Sequence, residues 1–216
     1  MKLEIPIAKP LLACWEAKSH PAQIRMQAYL DEIEGACRGA LLPAGMSLTF
    51  FVGLGENPRW LEASDLDNFL YPVVHRLGAA RFAAVRGVKS QAAESSILIS
   101  DEPVGAGGLA GPAVTLRLDG SYTTEGWKVR FREKLLKAGC TPAPPGPVEL
   151  HVHIGCSPSR KWANLWKPIL DSCGPFLGEP AGARFSPFDG RITDLTLTWT
   201  AQPELGDSVW VGLWWG

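Results

Sequence analysis

The sequence predicts an α/β protein made of two tandem βαβαββ units that associate as an intramolecular pseudo-dimer. Three observations carry this expectation. The order strand, helix, strand, helix, strand, strand occurs twice along the 216 residues. A segment rich in glycine and proline, Pro103 to Pro112, separates the two runs as a linker would. Matching landmarks also recur at one interval, Gly53 with Gly155 at the end of the second strand and Tyr29 with Phe131 on the first helix. The units are therefore residues 1–102 and 113–216, joined by the linker 103–112.

In the first unit, alternation from Lys2 to Ala8 predicts a strand. Ile24, Met26, Tyr29, Leu30, Ile33 and Cys37 form an apolar stripe, which predicts a helix over Pro21 to Arg38 closed by Gly39. The β-rich run Met46 to Leu54 follows. Ser64 or Asp65 then caps a helix reaching Leu77, with Pro72 as a source of a kink and Gly78 as its stop. Phe82 to Val88 and Ser95 to Ser100 complete the unit as strands. In the second unit, strands are expected at Val114–Leu118, Val148–Ile154, Ile192–Thr200 and Ser208–Trp215. Helices are expected at Thr123–Ala138 and Trp162–Phe176, the latter again holding a proline.

A composition of 46% hydrophobic and 20% charged residues suffices for a core without disulfides or metals. No apolar run reaches the roughly 18 residues of a bilayer span, and Met1-Lys2-Leu3-Glu4-Ile5-Pro6 lacks a signal-peptide layout, so no membrane association and a cytoplasmic location are expected. Cys14, Cys37, Cys140, Cys156 and Cys173 are scattered and form no Cys-x-x-Cys pair, which speaks against a zinc ribbon. The net charge of −1 excludes the strongly basic balance of many duplex-binding proteins. Two local basic runs remain, Arg76-Arg81-Arg86-Lys89 and Lys128-Arg130-Arg132-Lys134-Lys137, whose ordinary role is a solvated helix face.

Asp65-Leu66-Asp67-Asn68, at the mouth of the second helix, is the stretch with chemical content. Carboxylates at i and i+2, completed by an acid from a neighbouring strand, form an oxygen-only set suited to Mg²⁺ or Mn²⁺. The competing explanation is a helix start whose acids are favoured by the macrodipole and by capping. Lys161-Trp162-Ala163-Asn164-Leu165-Trp166-Lys167-Pro168 is an altered second version, with Asn164 and Pro168 standing where Asn68 and Pro72 stand in the first.

Asp65-Leu66-Asp67-Asn68, followed by Pro72, resembles the metal-binding motif of the RusA family of Holliday junction resolvases. Asn164 to Asp171, with Lys167, resembles that family's following helix, and Phe188-Asp189-Gly190-Arg191-Ile192-Thr193-Asp194 resembles its acidic segment before the last strands. Ser121 to Gly126 resembles the start of its first helix. The resemblance covers nearly the whole chain as two divergent copies. It implies a fused pseudo-dimer, monomeric as a chain, with Asp65, Asp67, Lys167 and Asp189 as catalytic candidates and Asp65, Asp67 and Asp189 as metal ligands.

Neither copy is complete. Tyr71 stands at the lysine position of the first, and Ala79 to Lys89 contains no acid. In the second, Lys161 and Ala163 replace the paired carboxylates, and Phe188 replaces one of the acidic pair. Either the halves assemble one composite site, or duplication released both sites to decay. The substitutions weigh toward decay, so the leading expectation is a catalytically impaired RusA-like protein that binds or processes branched DNA. The alternatives are an active Mg²⁺-dependent endodeoxyribonuclease with one site on Asp65 and Asp67, and a protein-binding accessory component that uses the Trp-rich second half. Mg²⁺ is expected only if catalysis survives.

His151 and His153 share one strand face, but no third ligand stands out, and ordinary strand histidines are the expectation. Trp127, Trp162, Trp166, Trp199, Trp210, Trp214 and Trp215 suit either packing between the sheets or, if exposed, a protein or unpaired-base partner.

Overall fold

The computed structural model describes residues 1–40, 42–56, 59, 65–104 and 113–216. Ser64 and most of the expected linker, 105–112, lie outside the described residues. The strands are β1 (Lys2–Ile7), β2 (Met46–Gly53), β3 (Phe82–Ser90), β4 (Ser95–Ser100), β5 (Val114–Asp119), β6 (Val148–Cys156), β7 (Ile192–Ala201) and β8 (Ser208–Trp215). The helices are α1 (Pro21–Cys37), α2 (Leu66–Leu77), α3 (Glu125–Lys137), α4 (Trp166–Asp171) and α5 (Gly174–Leu177). Among the described residues, no helix is long and apolar enough to cross a membrane.

The eight strands of the two runs form a single mixed sheet in the order β1-β4-β2-β3-β7-β6-β8-β5. With β5 to β8 taken as counterparts of β1 to β4, that order reads the same from either edge. The pairings agree in detail. β2–β3 and β6–β7 are parallel, and each has a register slip at its first residues, Met46/Ser47 and Val148/Glu149. At the centre, β3 and β7 are antiparallel, with Arg86 opposite Thr196, Ala84 opposite Thr198 and Val88 opposite Asp194.

The strand alternation assigns the two faces. Phe50, Gly87, Leu195 and Leu150 lie abreast through the ladders, and α2 covers this row: a Cβ built on Gly87 would meet Leu70 Cδ1 at 3.1 Å and Leu66 Cδ2 at 3.2 Å. Thr49, Arg86, Thr196, His151 and Trp214 form the neighbouring row on the opposite face. Leu48, Phe50, Val52, Val152 and Ile154 are essentially inaccessible to solvent, and Trp127, Phe131 and Trp166 fill the core of the second half. Because α2 rests on a glycine, Gly87→Val is expected to overpack this contact and cost about 1–3 kcal/mol. A thermal melt checks this: at about 2–4 °C per kcal/mol for a chain of this size, the drop is several degrees. An unchanged melting temperature would contradict the packing argument.

The helix expected over Trp162–Phe176 is broken. A 3₁₀ turn at Trp162–Leu165 leads into α4, and α5 follows after a break at Ser172–Cys173. Pro168 thereby falls in the first turn of α4, where a missing N–H leaves no helical bond unmade. In α2, Pro72 lies deeper and deprives the Asn68 carbonyl of its helical donor. The Ala13 backbone N–H donates to that oxygen instead, at 2.7 Å.

Candidate metal centre

The start of α2 is built around its two acids. Asp65 occupies the N-cap position with extended backbone (φ −75°, ψ 131°), yet its side chain makes no capping bond. Its Oδ2 accepts a hydrogen bond from Asn68 Nδ2 at 3.2 Å. Asp67 lies in the first turn, 3% exposed. Capping, the ordinary explanation for Asp at such a site, therefore does not account for Asp65.

The third acid comes from the other half of the chain. Asp189 opens a 3₁₀ turn, Asp189–Arg191, that feeds directly into β7. Because β7 pairs with β3, and α2 packs on β3 and β7, that turn is brought to the N-terminus of α2. One carboxylate oxygen from each of Asp65, Asp67 and Asp189 lies within 4.8 Å of the other two. Asp65 and Asp189 line a cleft of about 410 Å³ together with Gly146, Pro187, Phe188, Gly190 and Arg191.

Two lysines flank the acids. Lys167, on α4, lies 3.9 Å from Asp67 Oδ2 and 2.9 Å from Asp171 Oδ1. Asp171 also accepts from Lys128 Nζ of α3 at 2.6 Å. Lys89, near the end of β3, is 3% exposed, and its ammonium donates to the Gly190 carbonyl beside Asp189. Sequence reasoning placed Lys89 only in a basic run expected at a solvated helix face. The signal was its parity: Lys89 is two residues beyond Gly87, on the face that α2 covers.

The electrostatics are those of crowded anions in a poorly solvated place. Burial pushes the Asp67 carboxyl up to about 6; Lys167 opposes the shift, while Asp65 and Asp171 add to it. Asp189 rises to about 7, through burial first and then through repulsion from Asp65 and Asp67. Burial lowers Lys89 to about 8 against the pull of Asp65 and Asp189. Lys167 moves the other way, upward, because attraction to Asp67, Asp171 and Asp189 together outweighs its desolvation. Asp67 Oδ1 is buried and has no hydrogen-bond partner. An unpartnered buried oxygen on an acid that clusters with two further carboxylates fits a hard divalent cation.

The structure thus brings together all four site residues singled out in the sequence, Asp65, Asp67, Lys167 and Asp189, and adds Lys89. The carboxylates of Asp65, Asp67 and Asp189 are close enough for one ion to touch an oxygen of each. His151 and His153 instead share Thr198 Oγ1, each at 2.9 Å, on the face opposite α2. They pack against Trp214 and Trp210, and among the described residues no further ligand joins them. None of the seven tryptophans of the second half is exposed, and Trp127, Trp162 and Trp166 are wholly buried. The most exposed described tryptophan, Trp15 at 72%, belongs to the first half.

No family model matches the chain, and no curated protein is significantly similar to it.

Proposed function

We propose that the chain is a RusA-like pseudo-dimer that hydrolyses a phosphodiester bond of branched or structured DNA at one divalent-cation site. The observation that carries this reading is the convergence of Asp65, Asp67 and Asp189, from both halves, to within 4.8 Å. The palindromic strand order supports the duplication. A Mg²⁺ or Mn²⁺ ion held by these three carboxylates would supply an activated water and charge neutralisation at the phosphate. Lys167 reaches the same acids from α4 and is placed to hold a non-bridging phosphate oxygen. Lys89 fixes the Gly190 carbonyl and with it the turn that presents Asp189. Phe188, 47% exposed at the rim of the cleft, offers a base-sized apolar surface beside the acids.

The test is cleavage of end-labelled branched DNA with Mg²⁺ or Mn²⁺, comparing the wild type with Asp67→Asn. Cation-dependent cleavage that falls by at least about 100-fold in the variant is expected, as for loss of a group that stabilises the transition state. Equal cleavage by both proteins would sink the reading. A second reading, a DNA-binding protein impaired in catalysis, is favoured by Lys167, whose ammonium already neutralises part of the cluster. Its signature in the same experiment is salt-sensitive junction binding with no cleavage at any cation concentration.

A further inference from the structure

The palindromic sheet defines a counterpart for every residue of the acidic centre. Ala84 and Asp194 are equivalent, since each is the first residue after the matching register slip, opposite Ser47 and Glu149 respectively. Counting from them, Lys89 corresponds to Trp199, and Asp189 corresponds to Ala79, each of the latter pair opening a 3₁₀ turn before its strand. The Asn–Pro motifs equate Asp65 with Lys161, Asp67 with Ala163, Tyr71 with Lys167 and His75 with Asp171.

Four of these counterparts, His75, Ala79, Lys161 and Trp199, line a second cleft of about 320 Å³. Its lining also includes Arg160 and Trp162 and, among the described residues, no carboxylate. Lys161 is exposed and sits where the acidic centre has Asp65. Arg160 is anchored by donating to the Asp207 and Gly120 carbonyls, so its charge is held at the rim. Trp199 is half-buried, stacked on Trp162 at 5.9 Å and 14°, and its indole N–H donates to the Phe82 carbonyl at 2.8 Å. Trp162 donates likewise to the Ala79 carbonyl at 3.0 Å. Both rings are fixed before any ligand arrives, which lowers the ordering cost of binding.

We propose that this second cleft binds, without cutting, a phosphodiester strand of the same DNA: Lys161 and Arg160 hold the phosphate directly, and Trp199 borders the base. This inference rests on the nucleic-acid reading of the acidic centre and extends it. The acidic centre needs a cation to attract a phosphate. Its counterpart carries a fixed positive charge at the position of a ligand acid, so it attracts a phosphate in the absence of metal. The two clefts are related by the symmetry of the sheet, so they would meet symmetry-related strands of a branched substrate. The consequence is one nick per bound chain instead of paired cuts.

The test uses full-length protein, a fluorescently labelled four-way DNA junction and chelator, with binding read by anisotropy across a salt series. Lys161→Glu is expected to weaken binding by about tenfold or more, and Lys161→Ala to reduce the slope of log K against log salt by about one. Both variants keep Mn²⁺ binding at the wild-type affinity. With cation present, the wild type gives a single-strand nick. Unchanged affinity and slope in both Lys161 variants overturn the proposal while leaving the acidic centre intact. Paired symmetric cuts by one bound chain also overturn it, as does equally tight binding of a mononucleotide, which needs no strand. Failure of the underlying reading looks different: Asp67→Asn would then leave cleavage and Mn²⁺ binding unaltered.

Discussion

Asp189→Asn is expected to abolish tight divalent-cation binding, although Asp189 lies in the other half of the chain from Asp65 and Asp67. The three oxygens lie within 4.8 Å, so one ion can touch all of them at 2.0–2.6 Å. Removing one of three anionic ligands takes away both a bond and a third of the neutralising charge. Loss of an outer partner alone typically costs 10–100-fold in affinity, so a ligand should cost about 100-fold or more. Titration calorimetry with Mn²⁺ reads this directly. Asp194→Asn is the control: Asp194 pairs with Arg86 at the central β3–β7 ladder and is no member of the cluster. If Asp189→Asn and Asp194→Asn bind Mn²⁺ as the wild type does, the composite site is refuted.

In chelator, acidification from pH 8 to pH 5 is expected to relieve the repulsion within this same cluster, an effect read as the difference from a protein that lacks its acids. The sign follows from the direction of the shifts. Asp67 and Asp189 titrate near 6 and 7 when folded but near 3.8 as unperturbed carboxyls. Between about pH 4 and 7 these two carboxyls therefore hold more protons in the folded chain than in the unfolded one, and their contribution to stability falls as pH rises through that window. With Mn²⁺ in excess the dependence reverses, because protons compete with the ion and binding strengthens above pH 7. The doubly substituted Asp67→Asn, Asp189→Asn protein should lose both effects. Relative to it, the metal-free wild type should be less stable at pH 8 by about 1–3 kcal/mol, or several degrees in melting temperature. Identical pH profiles for the two proteins in chelator would show that the carboxylates are not crowded as described.

Most element positions were legible because their signals are local. The stripe from Met26 to Cys37 buries one face of α1, and the alternation in β5 buries Val114, Leu116 and Leu118 while Thr115 and Arg117 stay exposed. The second-half helix was misjudged because Pro168 and the Ser172–Cys173 break interrupt it, whereas α2 accommodates Pro72 through a bond from Ala13, far away in sequence. The charge runs are solvated faces only in part: Arg130, Lys134 and Lys137 are exposed on α3. Lys128 and Arg132 are bound to Asp171 and Glu179, and Lys89 is buried, partners that no local pattern identifies.

The sequence by itself determined the element order, its repetition, and the four residues Asp65, Asp67, Lys167 and Asp189, because hydrophobic period and motif chemistry are written within short windows. It left open whether those residues meet. Two incomplete motifs in separate halves weigh toward two relics while still allowing one composite site. Only the antiparallel pairing of β3 with β7 decided that the turn bearing Asp189 lies at the N-terminus of α2. That pairing depends on backbone hydrogen bonds and on the packing of α2 against both strands, interactions between residues far apart in the chain.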